Sequence, residues 1–234
     1  MLKQNLEAPG TKEDPDWDSL YRARGDEVSG SRPIFTGDVF TNVSVLGNKG
    51  AQITALILQH PCALRIDGVN LVPRLLVAEV QEFDFIPFSQ WNGRFKVMPL
   101  PVLIGQTNYV AQLHEPHLVE EAALNSATRI ASMSQVGVDL LLQRWVHHNS
   151  RVVVPTADYQ RATVEQFEEA DLIEEWCDER AATATDIPAQ LEAVHEWMRG
   201  ESSSPGKRWQ DLLQDPQTRG VVRKAMRRHI KELR

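Results

Sequence analysis

The alternation of apolar and polar positions is clearest between residues 37 and 62, GDVFTNVSVLGNKGAQITALILQHPC. Phe35, Val39, Val43 and Val45 alternate with polar neighbours, which predicts a half-buried strand over residues 34–46. Gly47-Asn48-Lys49-Gly50 supplies a hairpin turn. The nearly all-apolar run at 53–58 predicts a buried central strand that stops abruptly at His60-Pro61-Cys62. Residues 75–80 form a second such run, entered through Pro73, and residues 94–100 and 108–113 read as two more strands. An aromatic and proline-rich loop, residues 83–93, covers the core or offers a partner-binding patch. Five or six short strands with no helix between them predict an α+β protein: a small antiparallel barrel followed by a helical C-terminal region.

Period-3.6 patterns occupy the rest. Trp17, Leu20 and Tyr21 suggest a short helix over 17–28, broken by Ser29-Gly30-Ser31-Arg32-Pro33. Residues 120–124 suggest a helical turn. From Ser134, a plausible N-cap, Val138, Leu141, Leu142 and Trp145 make one apolar stripe. After Pro155, Thr163-x-x-Gln166 matches a capping box. The helix it opens has Val164, Phe167, Ala170, Ile173, Trp176 and Cys177 on one face, and Glu165, Glu168, Glu169, Asp171, Glu174, Glu175, Asp178 and Glu179 on the other. Ile187, Leu191, Val194 and Met198 mark a further amphipathic helix, and residues 201–206, ESSSPG, a linker. A last helix over 218–233 buries Val222, Ala225, Met226, Ile230 and Leu233. Residues 1–16 are polar and expected to be disordered. The expected organisation is an N-terminal extension at 1–33, a barrel with its closing helix at 34–150, an acidic helical region at 151–200, and a linker with a basic helix at 201–234.

Charge changes this picture. The chain of 234 residues carries a net −7, but from Lys207 onward it has nine basic and three acidic residues. An acidic body thus ends in a basic helix bearing Arg219, Arg223, Lys224, Arg227, Arg228 and Lys231. That helix suits a protein partner, RNA or DNA, or the chain's own acidic helix. It has no aromatic residue after Trp209, so base stacking is not expected. The N-terminus has no apolar leader core and no run is long enough to span a bilayer, so a cytoplasmic protein without membrane contact is expected. Two distant cysteines, Cys62 and Cys177, fit a reducing compartment.

Residues 37–148, about half the chain, resemble the PemK/MazF-like family of toxin ribonucleases. Gly37-Asp38-Val39 is similar to the family's opening strand and Thr54-Ala55-Leu56-Ile57-Leu58 to its central strand. Leu75-Leu76-Val77-Ala78-Glu79-Val80 is similar to the next strand, and Ile130-Ala131-Ser132-Met133-Ser134 with residues 138–145 to the closing turn and helix. The resemblance implies an SH3-like barrel, an endoribonuclease activity, and a prokaryotic toxin–antitoxin or phage-defence setting. The family's catalytic Arg falls where this chain reads Gln52-Ile53-Thr54-Ala55, and its catalytic Thr where it reads Val80-Gln81-Glu82. Neither has a counterpart, and stabilising a developing phosphorane needs a cation at the scissile phosphate.

Two functions therefore stand as expectations. One is a non-catalytic scaffold that binds a partner through its helical half, with a homodimer also open. The other is a ribonuclease with a rearranged site, in which His60 acts as acid or base beside Cys62, and Arg65 or Arg94 holds phosphate. His60 and Cys62 equally suit a plain strand end with a small buried thiol. His114-Glu115-Pro116-His117 reads as a surface loop, because Pro116 works against the helix that would align two ligands. No metal site and no cofactor is expected. His147-His148 sits where a helix C-terminus favours cations.

Overall fold

The strand-forming runs pair as one antiparallel sheet of seven strands, open at both edges. The computed structural model describes residues 5–47, 50–181 and 186–233, so Asn48 and Lys49 of the expected hairpin turn, and residues 1–4, lie outside the described residues. The chain divides into two units, one of Met1–Val28 with Ile34–Thr163, the other of Ser29–Pro33 with Val164–Arg234.

In the first unit the strands are β1 (Tyr21–Arg24), β2 (Val39–Ser44), β3 (Gln52–Ile57) and β4 (Arg74–Glu82). A single helical turn, α1 (Phe88–Trp91), precedes β5 (Val97–Ile104) and β6 (Thr107–Glu120). A second, α2 (Glu121–Asn125), precedes β7 (Thr128–Met133), and α3 (Gln135–Ser150) follows. The spatial order is β1-β7-β2-β3-β4-β6-β5. Val39, Leu56, Val77, Leu100, Val110 and Leu141 are fully buried in its core.

The expected helix over 17–28 is instead a 3-10 turn at Asp18–Leu20 followed by β1. Its backbone pairs with β7, Tyr21 opposite Met133 and Arg24 opposite Ala131, and a tertiary ladder of this kind overrides local propensity. The expected disorder of residues 1–16 is corrected for the described residues 5–16: Leu6 is buried, and Glu7 accepts from Thr156 and from the Gln143 side chain. His114 to His117 lie within β6, not in a loop. Pro116 sits opposite Ala78 beside a register shift in the β4–β6 ladder, where a residue without an N–H is tolerated.

The expected closed barrel is an open sheet with β1 and β5 as its edges. Side chains span what the ladder does not. Tyr21 donates its hydroxyl to the Pro101 carbonyl (2.9 Å), and Arg24 donates to the Val102 carbonyl (2.8 Å). Val102 has φ +51°, rare for a β-branched residue, and its N–H is held by Asn108 at 3.1 Å.

Ser134 caps α3 as its sequence suggests, accepting from the Gly137 N–H at 3.1 Å. It also donates to the Ser19 carbonyl, and its own N–H bonds Leu20 O at 3.0 Å. Gly137 faces the Leu20 carbonyl so closely that a Cβ there would overlap the backbone. Further along α3, the buried Arg144 donates to the carbonyls of Trp91 (3.0 Å), Arg94 (3.3 Å) and Glu7 (2.9 Å). Its guanidinium lies 4.9 Å from the Trp91 ring centre, and burial lowers its pKa to about 9. The aromatic loop closes on the same place: Trp91 is buried and donates to Ile86 O, and Trp17 packs on Phe85, Phe88 and Trp91.

The second unit is helical. The division falls inside α4 (Thr156–Arg180), which is followed by α5 (Ile187–Arg199) and α6 (Pro216–Glu232). Thr163 is not a cap, because α4 starts earlier; its hydroxyl bonds back to Tyr159 O within the helix. Asp186 and Asp215 cap α5 and α6. Leu172, Trp176, Val194, Met198, Leu213, Val222, Met226 and Ile230 form the core. Trp197 stacks on Trp209, with ring centres 5.2 Å apart. Residues 29–33 belong here because Arg32, 3% exposed, bonds Asp171 (2.7 Å) and Glu174 (2.9 Å).

A Gly→Ala change inside a helix ordinarily stabilises by up to ~1 kcal/mol. Gly137→Ala should do the opposite, lowering the midpoint of chemical denaturation, because α3 must withdraw from Leu20. A variant as stable as the parent would show that this close approach carries no weight.

Candidate functional site

The four residues proposed for catalysis occupy different places. His60 and Cys62 share a 3-10 turn at Pro61–Ala63, just past β3. The His60 Nδ1 caps that turn, accepting from the Cys62 N–H at 3.2 Å, and burial lowers the pKa of its ring. Cys62 is exposed. Arg65 donates to the Ile34 carbonyl at 2.9 Å, holding the loop to the irregular segment that leads into β2. Arg94 lies between α1 and β5, where it bonds the Gln90 side chain and faces the Phe83 ring. Register separates the two places. The β3 end leads to His60 from the pair Ile57–Val77 and thence His117, whereas Arg94 precedes the pair Val97–Gln112.

His117 does not meet His114 in a ligand pair. Its Nε2 lies 3.8 Å from Glu79 Oε2 across the β4–β6 ladder. Among the described residues, no group of three or more His, Cys, Asp or Glu side chains could hold a metal ion.

The acidic face of α4 is engaged within its own unit. Asp171 and Glu174 hold Arg32, Asp178 accepts from Ser31, and Glu169 accepts from Gln210. Glu168 and Glu175 meet Arg223 at 3.4 and 3.5 Å, and Glu175 and Glu179 meet Arg227. These pairs divide the cations of α6. Arg223 and Arg227 face α4, and Arg219 donates to the Leu213 carbonyl at 2.8 Å. Lys224, Arg228 and Lys231 are exposed and make no ion pair among the described residues. With Gly220, Arg223 and Arg227 they line an open concavity of about 420 Å³. Gly220 leaves open space where a side chain would stand. The inward residues Val222, Met226 and Ile230 fix which cations face out, since helix periodicity places Lys224, Arg228 and Lys231 on one stripe.

One buried titratable group escaped the sequence pattern. Asp139 on α3 is buried among Gln135 (3.0 Å) and Thr163 (3.5 Å). Burial raises its pKa to about 7; the two hydrogen bonds oppose that shift and the Glu7 charge adds to it. Its place next to the apolar Val138 and Leu140 to Leu142 gave no signal, because Asp139 falls where an exposed helix position was expected.

Compared with known proteins, the chain matches no protein-family model and no curated protein. No helix among the described residues is long and apolar enough to cross a membrane.

Asp139 gives a pH prediction. Its folded pKa is raised from 3.8 to about 7, so its stabilising contribution is full below the lower value and lost as pH rises through the higher. Asp139→Asn keeps the hydrogen-bonding oxygen and removes the ionisation. Thermal unfolding of the variant should show a flatter pH dependence and a higher midpoint than the parent at about pH 8. Parallel curves for the two proteins would refute an ionising buried carboxyl.

Proposed function

We propose that this is a partner-binding protein, in which the outward cationic stripe of α6 receives an acidic segment of another protein. The observation that carries the reading is the split among the cations of α6. Arg223 and Arg227 are matched by α4 carboxylates, while Lys224, Arg228 and Lys231 surround an open concavity without such a match among the described residues. An acidic protein segment fits better than a nucleic-acid backbone. The α4 carboxylates Glu168, Glu175 and Glu179 border the stripe and would repel a continuous run of phosphates. Discrete acidic side chains can avoid them.

The first unit serves, in this reading, as a PemK-like scaffold of SH3-like type. What supports it is the order of the strand motifs, and the Tyr21 and Arg24 side chains that reach from one sheet edge to the other. Against the ribonuclease reading, His60 and Arg65 use polar atoms to hold their own loop, and Arg94 stands apart from them. The resemblance suggests a prokaryotic toxin–antitoxin or phage-defence setting, so products of adjacent genes are the natural partners to test.

The test is co-expression of the full chain with its genomic neighbours, followed by titration calorimetry of any stable complex. A Lys224→Glu, Arg228→Glu, Lys231→Glu variant should lose about tenfold or more in affinity while keeping its fold, because rim charges are exposed and outside the α6 core. A chain that stays free of every co-expressed neighbour would remove the basis of the proposal. RNA cleavage or growth arrest abolished by His60→Ala would favour the ribonuclease instead.

A further inference from the structure

A second cationic cluster, in the first unit, is independent of α6 and of the partner-binding reading. It forms where the last turn of α3 meets the chain entering β5, around Phe95. Arg151 caps α3 in the left-handed conformation (φ +62°), its N–H bonding His147 O at 2.9 Å. Its guanidinium carbon lies 4.6 Å from the Phe95 ring centre. His147 meets the same ring edge-on at 5.9 Å, and His148 stacks on Trp145 at 6.4 Å. On the strand side, Leu113 donates its N–H to the Lys96 carbonyl at 2.9 Å, so Lys96 runs beside β6 where β6 reaches His114.

The electrostatics of this place are one-sided. Burial first, then the charges of Arg151, His114 and Lys96, hold the His148 ring below its ordinary pKa; a hydrogen bond to the Phe95 backbone works the other way. No carboxylate contributes at His148. The acid at hand is Glu115, whose oxygen is 3.9 Å from His114 Nε2 and whose side chain is 75% exposed. The α3 carbonyls add a partial negative charge, of which His147 O is already taken by Arg151 N–H. Lys96, His114 and Arg151 are exposed, whereas His147 and His148 are half-buried. The Nδ1 atoms of both half-buried histidines are buried and have no hydrogen-bond partner among the described residues.

We propose that Lys96, His114, His148 and Arg151 form a binding site for a phosphate group, carried by a nucleotide or by an RNA strand. A phosphate offers three or more acceptor oxygens to donors that converge from a strand and a helix end, which a single carboxylate cannot match. Arg151 and Lys96 supply permanent charge. The imidazoles supply donors that strengthen when protonated. Phosphate favours the charged ring, so binding raises the His148 pKa and tightens as pH falls through the range where that ring titrates.

The experiment follows the imidazole carbon-bound protons of the full chain by NMR. It uses inorganic phosphate, adenosine monophosphate and a short single-stranded RNA in turn, each against chloride at matched ionic strength. The expected result is a saturable shift of the His114 and His148 resonances and a His148 titration displaced to higher pH. The RNA arm, whose diesters stay anionic throughout, reads the ring alone. Lys96→Gln and Arg151→Asn should each weaken binding about tenfold, the loss of one charge-assisted hydrogen bond; asparagine tolerates the left-handed cap. Lys12→Gln, at an exposed position outside both cationic places, should leave the shifts unchanged. Tighter binding of the monophosphate assigns the site to nucleotides, and tighter binding of the strand assigns it to RNA. Shifts that never saturate with any probe, or that persist in the Lys96→Gln, Arg151→Asn double variant with an intact spectrum, overturn the proposal.

Discussion

The first unit depends on a buried guanidinium. Arg144 donates from its two terminal nitrogens to three backbone carbonyls, those of Glu7, Trp91 and Arg94, while its buried Nε has no hydrogen-bond partner among the described residues. Two chain segments, one around Glu7 and the other running from Trp91 to Arg94, are thereby tied to one helix. Burial makes this charge costly, seen in its lowered pKa, and the cost is offset only while all three carbonyls stay in place. Lysine could not replace it, since a point charge does not reach three acceptors in the plane of a fork. The same contact fixes the backbone on which Phe95 and Lys96 follow, so the cationic cluster at the end of α3 inherits its geometry from Arg144. The Ser134 cap and Gly137 do the corresponding work at the other end of α3, against residues 19 and 20.

In the second unit, charge compensation plays the organising role. An eight-residue acidic face on α4 would repel itself if left to solvent. Instead Arg32, Arg223 and Arg227 meet it, and Ser31 and Gln210 add hydrogen bonds. The pairs of α6 are partly exposed, so each contributes little on its own; Arg32 is buried and its pairing matters more. The functional consequence lies in what is left over. Matching Arg223 and Arg227 leaves Lys224, Arg228 and Lys231 exposed and without an ion pair among the described residues.

The two cationic places differ in kind. The α6 stripe is a row of long, flexible side chains bordered by carboxylates, suited to a protein partner whose charges are spaced. The cluster at the α3 end combines fixed aromatic supports with titrating rings, suited to one compact anion. His60 caps the turn after β3 by accepting from the Cys62 N–H.

Much of this architecture was legible along the chain. The α+β class, the central strands, the Ser134 cap and most of the inward faces of α5 and α6 follow from periodicity, because a core needs apolar residues at the repeat of its element; Ile187 and Leu233, expected inside at the helix ends, are exposed. Local patterns failed wherever distant partners decided the outcome. Tyr21 to Arg24 became a strand because β7 offered a ladder, and Pro116 entered β6 beside a shift in register. Arg32, Asp139 and Arg144 read as ordinary polar positions, yet each is buried. The sequence by itself determined most of the longer elements and their apolar faces, since those are short-range properties of spacing. Only the tertiary structure decided that the sheet stays open, that α4 carboxylates claim two of the α6 arginines, and that Arg151 and His147 meet on the Phe95 ring. Charges act through space, and their distances along the chain say nothing of that convergence.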